Sequence, residues 1–220
     1  TTNTAVALKA PIASPSFTGN VGVTGTNAAV NVICGGVTED SNLNFVQGST
    51  TEGGITFDHN SGYASEQMNF RVGNNTTHMS INGAGIVTKP NQPCFSATRT
   101  SNQTVSTSTI TLAELNIREF DIGNNFNTST YRFTAPVAGK YLFTAALQFN
   151  NNGGVHTNLY VNGGSRNDGW LDFGTTTASS QSRIFDLVSG DYVQLYAYAG
   201  AISSPQINAH RVKMTGFLIG

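Results

Sequence analysis

Charge is what this 220-residue chain has least of: Lys, Arg, Asp and Glu together make up 10% of it, against roughly a quarter in ordinary soluble domains. The 11 basic and 12 acidic residues are scattered and sum to a net charge of −1. No positive stripe exists that would neutralise a phosphate backbone, which excludes nucleic-acid binding. A basic amphipathic helix is also lacking, and with it a membrane-surface role. No apolar run approaches the roughly 20 residues a spanning helix needs, and Thr1 to Ala10 lack the apolar core of a signal peptide, so no membrane insertion is expected. Only two cysteines occur, Cys34 and Cys94. They fall in stretches of different texture, and the reading favours two unpaired thiols.

What the chain has in abundance is Thr, Ser, Asn and Gly, a bias that suits extracellular β structure with many turns. It begins at Thr1 without Met, and it is expected to be a fragment or processed product with an anchor upstream. Three zones follow one another: an extended connector over 1–30, a β-rich stem over 31–92, and a denser β domain over 93–220.

In the connector, Pro11 and Pro15 stand four apart in Ala7-Leu8-Lys9-Ala10-Pro11-Ile12-Ala13-Ser14-Pro15-Ser16-Phe17-Thr18-Gly19-Asn20-Val21, which prevents a regular helix. In the stem, Leu43/Phe45, Ile55/Phe57, Met68/Phe70 and Met79/Ile81 are period-two apolar pairs. Gly53-Gly54, Asn60-Ser61-Gly62, Gly73-Asn74-Asn75 and Asn82-Gly83 read as the turns between them. So few large apolar residues per repeat do not offset a backbone ordering cost of roughly 1–2 kcal/mol per residue in a lone chain. Partner chains are expected to complete that core, the alternative being a small independent β-domain.

The third zone has strand patterns over Cys94–Thr100, Thr109–Leu112, Arg118–Ile122, Thr130–Thr134, Gly139–Phe149, Val155–Val161, Gly169–Phe173, Ser179–Leu187, Asp191–Ala199 and His210–Ile219. Ten strands suit an all-β fold, a two-sheet jelly-roll sandwich. One helical turn is expected at Thr111–Asn116, where Thr111 and Glu114 have capping-box spacing.

Two resemblances sharpen this reading. The Ala10-Pro11-Ile12-Ala13-Ser14-Pro15-Ser16-Phe17-Thr18-Gly19 stretch resembles a motif of bacteriophage tail fibres, with Ile12 in place of the usual Leu, which implies a trimeric, rod-like context. Four later stretches are similar, in order, to the globular-head family of complement subcomponent q: Phe133-Thr134-Ala135-Pro136-Val137-Ala138-Gly139-Lys140-Tyr141-Leu142-Phe143, Leu159-Tyr160-Val161-Asn162-Gly163, Leu187-Val188-Ser189-Gly190-Asp191-Tyr192-Val193 and Gly216-Phe217-Leu218-Ile219. That resemblance implies a tumour-necrosis-factor-like jelly roll, packed three around an axis through an aromatic-lined interface. The surplus aromatics Tyr192, Tyr196, Tyr198 and Phe217 are the interface candidates.

Strand parity puts three loops at one end of the head. They carry the receptor-binding candidates Asn150, Asn151, Asn152, Thr175, Thr176, Thr177, Ser203, Ser204, Gln206 and Asn208, neutral amides and hydroxyls suited to a glycan or a polar protein surface. The bland alternative is that these are solvated turns. Trp170 is assigned to packing, and His156 and His210 to structural roles. No metal is expected, because the three loops lack the Asp or Glu that calcium prefers. Nor is any cofactor.

Enzyme templates fail. Gly163-Gly164-Ser165-Arg166-Asn167 misses the nucleophile elbow at its last position, no His-Glu-x-x-His exists, and Gly83-Ala84-Gly85 does not extend to a dinucleotide fingerprint. Glu52, Asp58, Asp168 and Asp172 show no grouping that would mark a glycosidase pair. The expectation is a non-enzymatic homotrimer, the distal part of a virion fibre. Its partners would be a host-surface glycan or protein receptor and an upstream fibre or baseplate protein. The alternatives are a purely structural trimerisation cap and a capsule depolymerase.

Overall fold

The computed structural model describes residues 22, 24–25, 30–33, 39–59, 66–165 and 175–220, with the side chains of Thr175 and Thr176 left aside. The connector motif, Cys34, Asn60-Ser61-Gly62, Trp170, Asp168, Asp172 and the strand expected at Gly169–Phe173 lie outside them. The chain divides into two compact units, Thr1–Val87 and Thr88–Gly220. Every regular element among the described residues is a strand.

Unit 1 is built on one antiparallel sheet, in the order β1 (Ser41–Gln47), β2 (Thr50–Asp58), β3 (Gln67–Val72), β4 (Thr76–Asn82) and β5 (Val87–Thr88). The four period-two pairs fall inside β1 to β4, and the register sets them side by side: Leu43 opposite Ile55, Ile55 opposite Phe70, Phe70 opposite Met79, and Phe57 opposite Met68. Since directly paired residues share a face, all eight large apolar side chains line one side. The other side is a polar ladder. Thr56 donates to Asn42 at 2.6 Å, Ser80 donates to Asn69 at 2.6 Å, and Arg71 reaches both Asn42 and Asn44.

Gly53-Gly54 is not the expected turn but the middle of β2. A Cβ on Gly53 would collide with the Arg71 carbonyl oxygen and one on Gly54 with that of Leu43, so close backbone approach, not reversal, is what selects glycine here. The Asn82-Gly83 turn is present, with Asn82 Oδ1 accepting from the Ala84 and Ile86 amides.

Unit 2 holds β6 (Cys94–Thr98), β7 (Gln103–Thr104), β8 (Thr109–Leu112), β9 (Ile117–Ile122), β10 (Phe126–Asn127), β11 (Arg132–Thr134), β12 (Gly139–Val161), β13 (Gly164–Ser165), β14 (Thr175–Leu187), β15 (Tyr192–Ala199), β16 (Gln206–Ile207) and β17 (Lys213–Leu218). These form a nearly closed β-sandwich of jelly-roll type. The two strands expected at Gly139–Phe149 and Val155–Val161 are one continuous strand that serves both layers. Its first half pairs with β14 and β17, and its second half pairs with β15. At the corner over 149–154, expected as a turn, the ladder with β14 breaks after Gln148, Phe149 pairs with Ile207 of β16, and pairing to β14 resumes at Gly153 and Gly154.

No helical turn forms at Thr111–Asn116. The Glu114 amide donates instead to the Gln103 side chain at 3.0 Å, and the Glu114 carbonyl accepts from the buried guanidinium of Arg99 at 2.9 Å. Tertiary partners take the groups that a capping box would use.

Between the layers lies an aromatic core. Phe95 stacks on Phe126 (5.1 Å between ring centres) and on Phe133 (4.9 Å), and Phe133 meets Tyr141 and Phe143, each at 5.6 Å. Each such pair contributes about 0.5–1.5 kcal/mol beyond its buried area. The alternation Tyr141, Phe143, Ala145, Leu147, Phe149 points into this core throughout.

Candidate functional site

Three of the four family-like stretches meet at the end of unit 2 where the chain enters it. Asn162 and Gly163 have positive φ (53° and 75°) and close the β12–β13 hairpin, as a two-residue turn requires. The Asn162 side chain then clasps the next turn: its Oδ1 accepts from the Tyr192 amide at 2.9 Å and its Nδ2 donates to Asp191 at 2.7 Å. Asp191 also accepts from the Val188 amide at 2.9 Å, while backbone bonds join Gly190 and Asp191 to Ala135. The Tyr141 hydroxyl, buried with its ring, donates to the Val137 carbonyl at 2.9 Å. Burial raises the Tyr141 phenol above its ordinary value, against the smaller opposing effect of that bond. These residues form a clasp that ties the two turns to the corner at Ala135.

The loop candidates come together at the opposite end, about 30 Å along β12. Gly153 and Gly154 pair with Thr176 and Thr175. The Asn150 side chain bridges into the third loop, donating to the Ser204 carbonyl at 3.2 Å and accepting from the Gln206 amide at 2.9 Å. Asn151 donates to the Ser203 carbonyl at 3.4 Å, and the Asn208 amide donates to the Gln148 carbonyl. A segment the sequence reading did not include completes this end: Asn102 donates to Gln206 Oε1 at 3.3 Å and accepts from the Ala209 amide at 2.8 Å. Asn150, Asn151 and Gln206 are therefore largely committed to holding loops together. Asn152, Ser203 and Ser204 are exposed, and Thr177 and Asn208 are half-buried.

The expected interface aromatics do not form one patch. Phe217 lies on the outer face of the layer containing β9, β6, β17, the first half of β12, and β14. There the register draws an unbroken row across five strands: Ile122, Cys94, Phe217, Leu142 and Ile184. Ile184 is 59% exposed, Phe217 42%, and the neighbouring Phe120 53%. A recess of about 460 Å³ opens between Phe120, Ile122 and Phe217. Tyr192, Tyr196 and Tyr198 lie on the outer face of the other layer, at alternate positions of β15 whose intervening residues point into the core.

Cys94 is a free, half-buried thiol. His156 contacts Tyr198, at 5.5 Å between ring centres, while His210 is an exposed turn residue whose φ is 56°. Among the described residues no three His, Cys, Asp or Glu side chains gather as a metal site would require.

A two-layer, aromatic-cored jelly roll closed by this clasp defines the fold class of this domain. Residues 94–219 match the C1q domain, and the chain belongs to that family, a non-catalytic module. Among solved structures, the globular domain of zebrafish complement 1qA protein is 23% identical, with 59% of this chain and 98% of that one aligned and a TM-score of 0.45. Murine APRIL is 10% identical, over 58% of this chain and 99% of that one, also at 0.45. No curated protein matches the chain.

Proposed function

We propose that the chain is the distal part of a homotrimeric phage tail fibre, with unit 1 as stem and unit 2 as the host-contacting head. The observation that carries this is the apolar face of the unit 1 sheet, which stays partly exposed among the described residues. Leu43 is 52% exposed and Phe45 58%, on a sheet whose other face is satisfied by its own polar ladder. An antiparallel sheet with one apolar face needs a second layer, and copies of the same sheet supply one. In unit 2 the row through Phe217 plays the same part, and the recess beside Phe120 receives a neighbour's side chain. The Ala10–Gly19 resemblance to tail fibres supports the phage assignment and the virion location.

Contact with the host falls to the exposed Asn152, Ser203 and Ser204 at the far end of the head, with Thr175, Thr176, Thr177 and Asn208 beside them. Asn150, Asn151 and Gln206 hold the loops in place. Three copies raise weak single-site affinity by avidity. The test is adhesion of the labelled full chain to a panel of bacterial strains. Strain-selective binding that Ser204→Trp abolishes without change of oligomeric mass supports the reading. A trimer that adheres to no strain contradicts it.

A further inference from the structure

The tyrosine face of unit 2 has no part in the trimer described above, and its chemistry is distinctive. Tyr196 packs against Tyr160 on the adjacent strand with ring centres 4.1 Å apart, and Arg132 lies over the Tyr192 ring at 4.7 Å. Tyr198 and His156 continue the row. The register sets Asn158 opposite Tyr196 and Gln194 opposite both Tyr160 and Arg132, each of these amides largely buried, while β8 places Leu112 and Ile110 beside Tyr196 and Tyr198. Gln194 donates to the Thr130 carbonyl at 2.9 Å, which fixes its orientation. The tyrosines are half-buried, so their rings are held in place while one side remains accessible. Among the described residues in register on this face, Arg132 is the one formal charge.

We propose that this face binds a neutral oligosaccharide. Tyr196 and Tyr198 are ~6.6 Å apart along the strand and Tyr192 lies ~13 Å from Tyr196 with Gln194 between, so the three span ~20 Å, a length that suits a short chain of pyranose rings. A pyranose is amphipathic in the same sense as the face. Its C–H side stacks on an aromatic ring, and its equatorial hydroxyls reach the phenols and imidazole at the ring edges. Burial, with the neighbouring Tyr160 and Tyr192, raises the Tyr196 phenol above its ordinary value, so it stays a neutral donor across the physiological range.

A protein partner suits the face less well. Three strands by six residues have a flat footprint of about 300 Å², small beside the patch that a stable protein interface occupies. An anionic glycan would have only Arg132, already occupied by Tyr192.

The proposal rests on the attachment reading and assigns it a second surface, distinct from the Ser203–Ser204 loops. Its test is the full chain on an array of neutral di- to hexasaccharides, followed by saturation-transfer NMR on the hits. The expected result is binding by one class of neutral glycan, with tyrosine ring signals perturbed. Tyr196→Ala should lower affinity about tenfold or more, while Tyr196→Phe keeps most of it and both variants keep the wild-type oligomeric mass.

Adhesion to cells without any glycan binding would overturn this proposal and leave the attachment reading standing. Loss of both by the wild-type chain would overturn the two together. A fall in oligomeric mass with folded Tyr196→Phe would mark the face as a subunit interface. A host protein captured in place of glycan, and lost with Tyr196→Phe, would mark it as a protein site. Either outcome refutes the proposal.

Discussion

Gly216 shows how a single residue ties motif to core. A Cβ there would lie 2.7 Å from Phe95 and 2.8 Å from Phe143, so the close approach of β17 to these two tilted rings leaves no room for a methyl group. Gly216→Ala forces either ring off its rotamer, a change that typically costs about 1–3 kcal/mol. Chemical denaturation should show a lower midpoint with an unchanged slope; an unaltered midpoint would mean the rings are looser than described. The resemblance to the complement subcomponent q family includes Gly216, but only the register of β17 against β6 and β12 supplies the reason for a glycine there. The same limit applies to Arg99. Its guanidinium is buried among the Ser101 and Glu114 carbonyls and Gln103 Oε1, partners that no local period would associate with it.

At the level of elements, ionic ties at the edge of the Phe217 layer are pH-sensitive. Lys213 on β17 meets Glu119 on β9 at 2.8 Å, and Ser96 on β6 donates to the same carboxylate at 2.6 Å. Those bonds, led by Lys213, lower the Glu119 acid below its ordinary 4.5. A carboxylate depressed on folding contributes stability that is fully present above the unfolded value and lost as pH falls through the folded one. Both partners are partly exposed, which limits the contribution to no more than about 1 kcal/mol. Glu119→Gln should therefore destabilise slightly at pH 7 and become indistinguishable from wild type once the pH is well below 4.5. A constant difference at every pH would refute the assignment.

Elements were the most legible level in the sequence. The pairs from Leu43/Phe45 to Met79/Ile81 marked four strands because apolar alternation was the dominant local signal, and Thr109–Leu112 was bounded as observed. The reading failed where tertiary contacts override local pattern. Gly53-Gly54 looked like a turn but is a site of close strand approach. The polar run Asn150–Gly154 looked like a loop but remains hydrogen-bonded to β14 at Gly153 and Gly154. Loop convergence followed from parity, yet parity could not show that the Asn150 and Asn151 side chains would be turned inward onto the third loop. Nor could spacing alone show that Phe217 and the three tyrosines face opposite ways, since that depends on which layer each strand joins.

For the molecule as a whole, trimerisation is expected from the apolar side chains that stay exposed on both sheets among the described residues. Phe45→Asp places a charge on the apolar face of unit 1, at its edge strand β1, where burial against a second layer without a partner is costly. It should weaken self-association while leaving the C1q domain folded, as near-ultraviolet circular dichroism of its aromatic core would report. Loss of the aromatic signal along with association would mean that the two units are not independent.

The most direct measurement is the mass of the full chain by light scattering across a dilution series. The account predicts three times the single-chain mass, held down to micromolar concentration or below. A folded protein of single-chain mass throughout the series would contradict it.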